Sequence, residues 1–394
     1  MEINNIFPIK DYSKINIYQT WNDFNKSKIL ELTDKFYPYI HYNNFHFTSK
    51  LNYKDELHRC YNRMKKLFPK DFNFMQETYI LPDDKEIIEK KFKDYKISKN
   101  NLWLIKPGVG SLGNGIKILT NFSDLYDRGV VTKYIHNPLL LNGKKFDLRL
   151  YVLITSFLPL KIYLNKEGLV RITTKYYTLD KNNYNNSFIH LTNTGVNQKN
   201  KNYIFSKNFT DENSNKWSLA TLKNYLKRNG INYKKIFYKI KDIIIKSLLS
   251  SEYIFTKESR KKYFGKKVST IIGYDILIDE NLKPCLLEMN CICPDLLPHD
   301  IVDEVIKPEV IKNYLNIIGL VPFSHKSNKP LDDVYEYKDK IEEVVDDSLC
   351  EFERADGSFE RIFPLKDNVY YYKKVFESPG KENELLWEKL KDFV

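Results

Sequence analysis

Apolar residues repeat along this chain with two periods, and the changes between them mark out its elements. A 3.6-residue period marks helices. Leu57, Tyr61, Met64 and Leu67-Phe68 predict one over residues 54–68. Ile236-Phe237, Ile240, Ile243-Ile244 and Leu248 predict another over 233–249, with its lysines on the opposite, solvated side. Two more are expected over 301–318 and 382–393, the latter carrying Leu385-Leu386, Trp387 and Leu390. Asp83-Asp84 is a cap for a helix over 86–95. Short alternating or wholly apolar runs predict strands over 79–81, 102–105, 116–119, 129–135, 144–154, 161–164 and 168–173. Asn142-Gly143 and residues 165–168 read as turns, 198–216 as a loop and 332–347 as a charged, mobile stretch.

One pattern carries chemistry as well as structure. Two apolar-rich runs, 272–278 and 284–289, flank Asp279-Glu280-Asn281 and predict a hairpin. With the turn at 279–282, Ile278 faces Lys283 and Asp275 faces Leu286. Asp275 then lies diagonally across from Glu288, on the face that Glu288 shares with Asn290. Two carboxylates and an amide oxygen are hard ligands, suited to Mg2+ held together with substrate phosphates.

Composition narrows the class. The 394 residues are 42% hydrophobic and 14% aromatic, which fits about two or three packed lobes and excludes wholesale disorder. Five cysteines, Cys60, Cys285, Cys291, Cys293 and Cys350, are too few for a disulfide framework and fit a reducing compartment. Cys291 and Cys293 lack the second pair of ligands that a zinc site needs. A net charge of +12 predicts an acidic partner: nucleic acid, an anionic membrane or an acidic protein. The abundance of Lys, Asn, Ile and Tyr also fits an AT-rich coding sequence, which would account for much of that excess. No apolar run reaches the roughly 18 residues of a membrane-crossing helix. The first residues lack a basic stretch followed by an apolar one, so no signal peptide is expected.

The remaining candidates favour phosphate. The glycines of 108–115 lie between two predicted strands and lack the Lys-Ser/Thr of a P-loop; the strand after them also argues against a dinucleotide fingerprint. Strand, glycine loop and strand predict a hairpin whose backbone N–H groups can cradle phosphate, with Lys106 at its base. Lys145, Asp147 and Arg149 fall at i, i+2 and i+4, on one strand face, with Phe146, Leu148 and Leu150 on the other. The Lys and Arg suit phosphate and the Asp would orient them. Arg171 is a second oxyanion partner, and the donor-rich His190-Leu191-Thr192-Asn193 suits ribose or phosphate. With Lys133 and the three oxygen ligands, this is equipment for nucleotide-dependent phosphoryl transfer.

In this order the motifs resemble those of the tubulin tyrosine ligase-like family, over about residues 40–325. They are Leu104-Ile105-Lys106-Pro107 with the glycine loop, Lys133-Tyr134-Ile135, Lys145-Phe146-Asp147-Leu148-Arg149, Glu167-Gly168-Leu169-Val170-Arg171, His190-Leu191-Thr192-Asn193, Lys216-Trp217-Ser218-Leu219, Gly273 through Asp279, and Leu287-Glu288-Met289-Asn290. The pattern is closest to the polyglutamylating members, which carry a stretch like Phe359 to Pro364 after the core. The resemblance implies an α+β, ATP-grasp fold of antiparallel sheets with flanking helices. Its expected parts are an N-terminal lobe (1–100), a central lobe with the glycine loop (101–200), a C-terminal lobe with the metal site (201–325) and an extension packed on the core (326–394).

The resemblance also implies roles. Lys106 and Lys133 would meet ATP phosphate or adenine, and Tyr134 and Ile135 would form the hinge against the adenine. Lys145, Asp147, Arg149 and Arg171 would bind the γ-phosphate, the acyl phosphate and the incoming amino acid, with Lys145, Arg149 and Arg171 catalytic. His190, Thr192 and Asn193 would serve the ribose and phosphate region, and Asp275, Glu288 and Asn290 would hold Mg2+. Thr132 stands where the family usually has Gln, and the segment from Cys291 to Leu296 replaces a Ser-rich one.

The activity implied is an ATP- and Mg2+-dependent ligase. It would join a free amino acid, glutamate first, to a carboxylate on the acidic tail of tubulin through an acyl phosphate. Two alternatives stay open: the same chemistry with glycine, tyrosine or another acidic acceptor, and a catalytically silent microtubule-binding protein. Nucleic-acid binding lacks any motif. A cytoplasmic monomer at the microtubule cytoskeleton, with the cilium or basal body included, is expected.

Overall fold

Alternation of period two becomes two antiparallel sheets in the computed structural model of the chain. The structure describes residues 48–92, 101–108, 110, 113–120, 122–254, 268–291, 298–319, 341–355 and 357–392, with four two-residue strands at Ile17–Tyr18, His41–Tyr42, Phe323–Ser324 and Lys329–Pro330. The smaller sheet is built from β1 (Thr78–Leu81), β2 (Trp103–Pro107), β3 (Lys117–Ile118) and β4 (Gly129–Lys133), in the order β1-β4-β2-β3. Gly129 is required there: a Cβ on it would stand 2.3 Å from the carbonyl oxygen of Lys106 on the paired strand.

The larger sheet has seven strands. They are β5 (Leu140–Leu141), β6 (Lys144–Phe157), β7 (Leu160–Ile172), β8 (Lys216–Ser218), β9 (Thr270–Ile278), β10 (Pro284–Asn290) and β11 (Phe359–Phe363). The path runs β8-β7-β6-β9-β10, with β5 on β6 and β11 on β7. Phe146, Leu148 and Leu150 enter the main core on one face, while Lys145, Asp147 and Arg149 share the other, as alternation requires.

The helices that cover the core follow the 3.6-residue pattern. They are α1 (Lys54–Leu67), α2 (Lys85–Phe92), α3 (Leu219–Arg228), α4 (Tyr233–Leu249), α5 (Ile301–Ile318), α6 (Ile341–Arg354) and α7 (Gly380–Lys389). Side-chain caps fix three of the starts: Ser218 accepts from Thr221 N, Asn232 from Lys235 N and Asp300 from Asp303 N. Among the described residues no helix is long and apolar enough to cross a membrane, and Cys60, Cys285, Cys291 and Cys350 are free thiols. Cys293 lies outside the described residues.

Several expectations are corrected. The turn over 165–168 is absent: β7 runs straight through it, because both of its halves pair with β6 and β11 continues the pairing at Asn165. Asn165 still acts locally, accepting from the backbone N–H of Glu167 at 2.9 Å. The lysine face of α4 is not wholly solvated, since Lys246 is buried and paired with Asp71 and Asp242. Residues 341–347 begin α6 and are not a mobile stretch; 332–340 lie outside the described residues. The strand expected over 129–135 ends at Lys133. The C-terminal segment joins the sheet through Glu351 of α6, which accepts from Thr155, Lys161 and Tyr163 at 2.6, 2.6 and 2.5 Å.

Candidate functional site

A cleft is lined by residues of both sheets and α1. Its floor is a row of charges across neighbouring strands of the larger sheet. Asp147 on β6 stands opposite Arg171 on β7, and Arg149 on β6 stands opposite Asp275 on β9. Asp275 in turn stands directly opposite Glu288 on β10. This last pairing corrects the expected register. Ile278 pairs with Pro284, one residue beyond the expected Lys283 because the turn is one residue longer, and a β-bulge between Asp275 and Ile276, with Leu287 as the extra residue, adds the second step that sets Asp275 opposite Glu288. The bulge brings the two carboxylates side by side instead of diagonally.

Both arginines are ion-paired. Arg149 donates to both oxygens of Asp275, Nε to Oδ1 at 2.5 Å and a terminal nitrogen to Oδ2 at 3.1 Å. Arg171 donates from Nε to Asp147 Oδ1 at 2.8 Å and lies 2.9 Å from Asp275 Oδ2. Burial works to raise the proton affinity of Asp275, but the charges of Arg149 and Arg171 overcome it and hold the carboxyl well below the usual range. Glu288 goes the other way: burial and the adjacent Asp275 raise its proton affinity.

The lysines are placed differently. Among the described residues neither Lys106 nor Lys145 is ion-paired with a carboxylate. Burial lowers Lys106 to about 8, opposed by the charges of Glu288 and Asp275 and reinforced by Lys54. Burial lowers Lys145 to about 7, opposed by Asp147 and reinforced by Lys106. Lys145 donates to the carbonyl of His190 at 2.8 Å and to the hydroxyl of Tyr134 at 3.3 Å. Such desolvated cations suit an incoming anion, which replaces the lost hydration.

In the glycine loop, Gly113 packs beside the cleft-lining Asn193. Gly113 has φ of +78° and a Cβ on it would stand 3.0 Å from Asn193 Oδ1, so glycine is needed on both counts. Residues 109, 111 and 112 lie outside the described residues.

The donor set at Glu288, Asp275 and Asn290 fits a hard divalent cation. Asn290 directs its amide nitrogen to both carboxylates, at 3.5 Å from Asp275 Oδ2 and 3.4 Å from Glu288 Oε1. Turned about its Cβ–Cγ bond, the same amide would offer its oxygen to that point. Because Asp275 is claimed by two arginines, Glu288 is the carboxylate with coordination capacity to spare. Among the described residues no three His, Cys, Asp or Glu side chains assemble into a metal-holding group; this set has two carboxylates and an amide.

Of the residues singled out from sequence, Lys106, Lys133, Tyr134, Ile135, Lys145, Asp147, Arg171, His190, Thr192, Asn193, Asp275 and Glu288 line the cleft. Arg149 and Asn290 reach it through Asp275. His190 sits in a short helix, Ser187–His190, not in an extended end. Sequence reasoning missed one wall altogether. Lys54, one turn before the cleft-lining His58 on α1, lies 3.6 Å from Glu288 Oε2 and donates to Gly110 O at 3.4 Å. Burial and then Lys106 depress the His58 imidazole to about 3. Gln76 was missed as well; it lines the cleft and donates to Cys285 Sγ at 3.4 Å.

A model of the tubulin-tyrosine ligase family matches residues 32–328. The chain is 39% identical to tubulin monoglutamylase TTLL4 of Mus musculus over 284 residues, covering 71% of this chain and 23% of that protein. It is 34% identical to tubulin polyglutamylase TTLL5 of Homo sapiens over 304 residues, covering 75% and 23%. It is 29% identical to a probable beta-tubulin polyglutamylase of Tetrahymena thermophila over 362 residues, covering 84% and 30%. The chain thus spans about a quarter of the length of the first two relatives.

Proposed function

The chain belongs to the tubulin-tyrosine ligase family, and from that premise we propose that it is an ATP-dependent ligase that adds glutamate to a carboxylate on the acidic tail of tubulin. The observation that carries this reading is the row Arg171, Asp147, Arg149, Asp275 and Glu288, aligned across four adjacent strands on the floor of one cleft. Glutamate and tubulin are favoured because the relatives above are named as tubulin glutamylases. We read the architecture as ATP-grasp, with an N-terminal lobe (1–100), a central lobe (101–200), a C-terminal lobe (201–325) and an extension (326–394).

The chemistry has a physical logic. A carboxylate acylates poorly because its charge repels a nucleophile. An oxygen of the acceptor carboxylate attacks the γ-phosphorus of ATP, the bond to ADP breaks, and an acyl phosphate forms. The amine of glutamate then attacks the acyl carbon. Phosphate leaves with the acceptor's oxygen, and the amine gives up a proton. Lys106 and Lys145 meet the phosphates; Arg149 and Arg171, oriented by Asp147 and Asp275, face the transferred group. Glu288 with Asp275 and Asn290 would hold Mg2+, which when bound would supply positive charge beside the phosphoryl oxygens. The glycine loop excludes water that would hydrolyse the acyl phosphate.

A net charge of +12 complements an acidic tail, and this attraction weakens with salt. It suits a protein working on cytoplasmic microtubules. Acceptor carboxylates labelled with oxygen-18 test the reading. ATP- and glutamate-dependent turnover should deliver one labelled oxygen into the released phosphate. Label that stays wholly on the acceptor during turnover would rule out the acyl phosphate.

A further inference from the structure

We infer that Tyr134 and His190 are positioning residues, which hold the ammonium of Lys145 in the cleft rather than spending their own polar groups on the nucleotide. The inference rests on the ligase reading above and deepens it.

The hydrogen bonds fix their own directions. The carbonyl of Asn183 can only accept, and it lies 3.1 Å from His190 Nε2, so Nε2 carries the proton. In a neutral imidazole Nδ1 is then an acceptor, and the Tyr134 hydroxyl at 2.9 Å, which also lies beside the Tyr177 hydroxyl, is its donor. With its one proton committed, the Tyr134 oxygen is left to accept, and Lys145 Nζ lies 3.3 Å away. Lys145 also donates to the His190 carbonyl at 2.8 Å, and its charge stands 4.6 Å from the centre of the Tyr134 ring. Two of the three ammonium protons are therefore used; among the described residues the third has no acceptor, and Lys145 lines the cleft.

The surroundings keep His190 and Tyr134 in this state. His190 is lowered to about 4, by burial and then by the charge of Lys145. It is neutral throughout the ordinary pH range. Tyr134 is raised well above its ordinary value by burial and by Tyr177, so it keeps its proton. Tyr177 itself donates to the carbonyl of His136 at 2.7 Å. Asp147 on the same strand favours the Lys145 ammonium and Lys106 from the smaller sheet disfavours it.

Two readouts test this in the full chain. Nitrogen-15 NMR at neutral pH without nucleotide should find His190 protonated on Nε2 and accepting on Nδ1. A proton on Nδ1 would overturn the inference. Tyr134→Phe keeps the ring and removes only the hydroxyl. It should weaken ATP binding about tenfold in the wild-type background and less than about twofold when Lys145 is replaced by Met. Equal losses in both backgrounds would mean that the hydroxyl contacts nucleotide directly, which also overturns it. A wild-type protein that fails to bind ATP defeats the ligase reading instead, while the tautomer measurement still decides the relay.

Discussion

Two groups of cations share one cleft and are held in opposite ways. On the floor, Arg149 and Arg171 are ion-paired with Asp147 and Asp275 before any ligand arrives. At the seam between the sheets, Lys106 and Lys145 are desolvated, lowered to about 8 and about 7, and unpaired with carboxylate among the described residues. The floor is rigid geometry, already neutralised. The seam is stored electrostatic demand. Binding energy for an anionic ligand should therefore come mainly from the lysines, and orientation of the reacting groups from the arginines.

The largest way to break that contrast is on the floor. Arg171→Met leaves two buried carboxylates short of a partner, which should cost about 3–5 kcal/mol in a urea titration. A loss under about 1 kcal/mol would mean that the row is not the preorganised element described here. At the seam the sign reverses. Lys106→Met should weaken ATP binding by roughly ten- to a hundredfold while leaving stability unchanged or slightly raised, because a desolvated cation is removed.

pH sharpens the same comparison. Lysines in the unfolded chain hold their protons up to the ordinary value of 10.5, whereas folded Lys145 and Lys106 release theirs near 7 and 8. Between those limits the unfolded state binds more protons, so stability should rise with pH across this window. The rise should be smaller in Lys106→Met, as denaturant midpoints at two pH values would report. Asp275 gives the same sign in a lower window. Its carboxyl sits below the unfolded value of 3.8, so its contribution is present above that pH and lost on acidification below it. The smallest effect is local: Gly113→Ala forces a positive φ on alanine and crowds Asn193. It should cost about 1 kcal/mol and weaken ATP binding modestly.

Much of this was legible from residue patterns. α4 follows a 3.6-residue repeat, and the polar face of β6 follows from simple alternation at Lys145, Asp147 and Arg149. What was not legible has physical reasons. The bulge at Leu287 changes the register without any glycine or proline to announce it. Asn165 to Gly168 has turn chemistry, but pairing on both sides outweighs local preference. Lys54 and His58 sit on a helix face whose letters look the same whether it meets solvent or a cleft. Only the tertiary placement of α1 against Glu288 and the glycine loop distinguishes the two.

The central claim is that this cleft activates a carboxylate for attack by glutamate. Its most direct test is label transfer: the protein with Mg·ATP, tubulin and labelled glutamate, glycine or tyrosine in separate reactions, each repeated with Glu288→Gln. Incorporation from glutamate alone, absent without ATP and absent in the variant, is the predicted result. Incorporation that persists in Glu288→Gln, or no incorporation from any of the three while ATP still binds, would contradict the account.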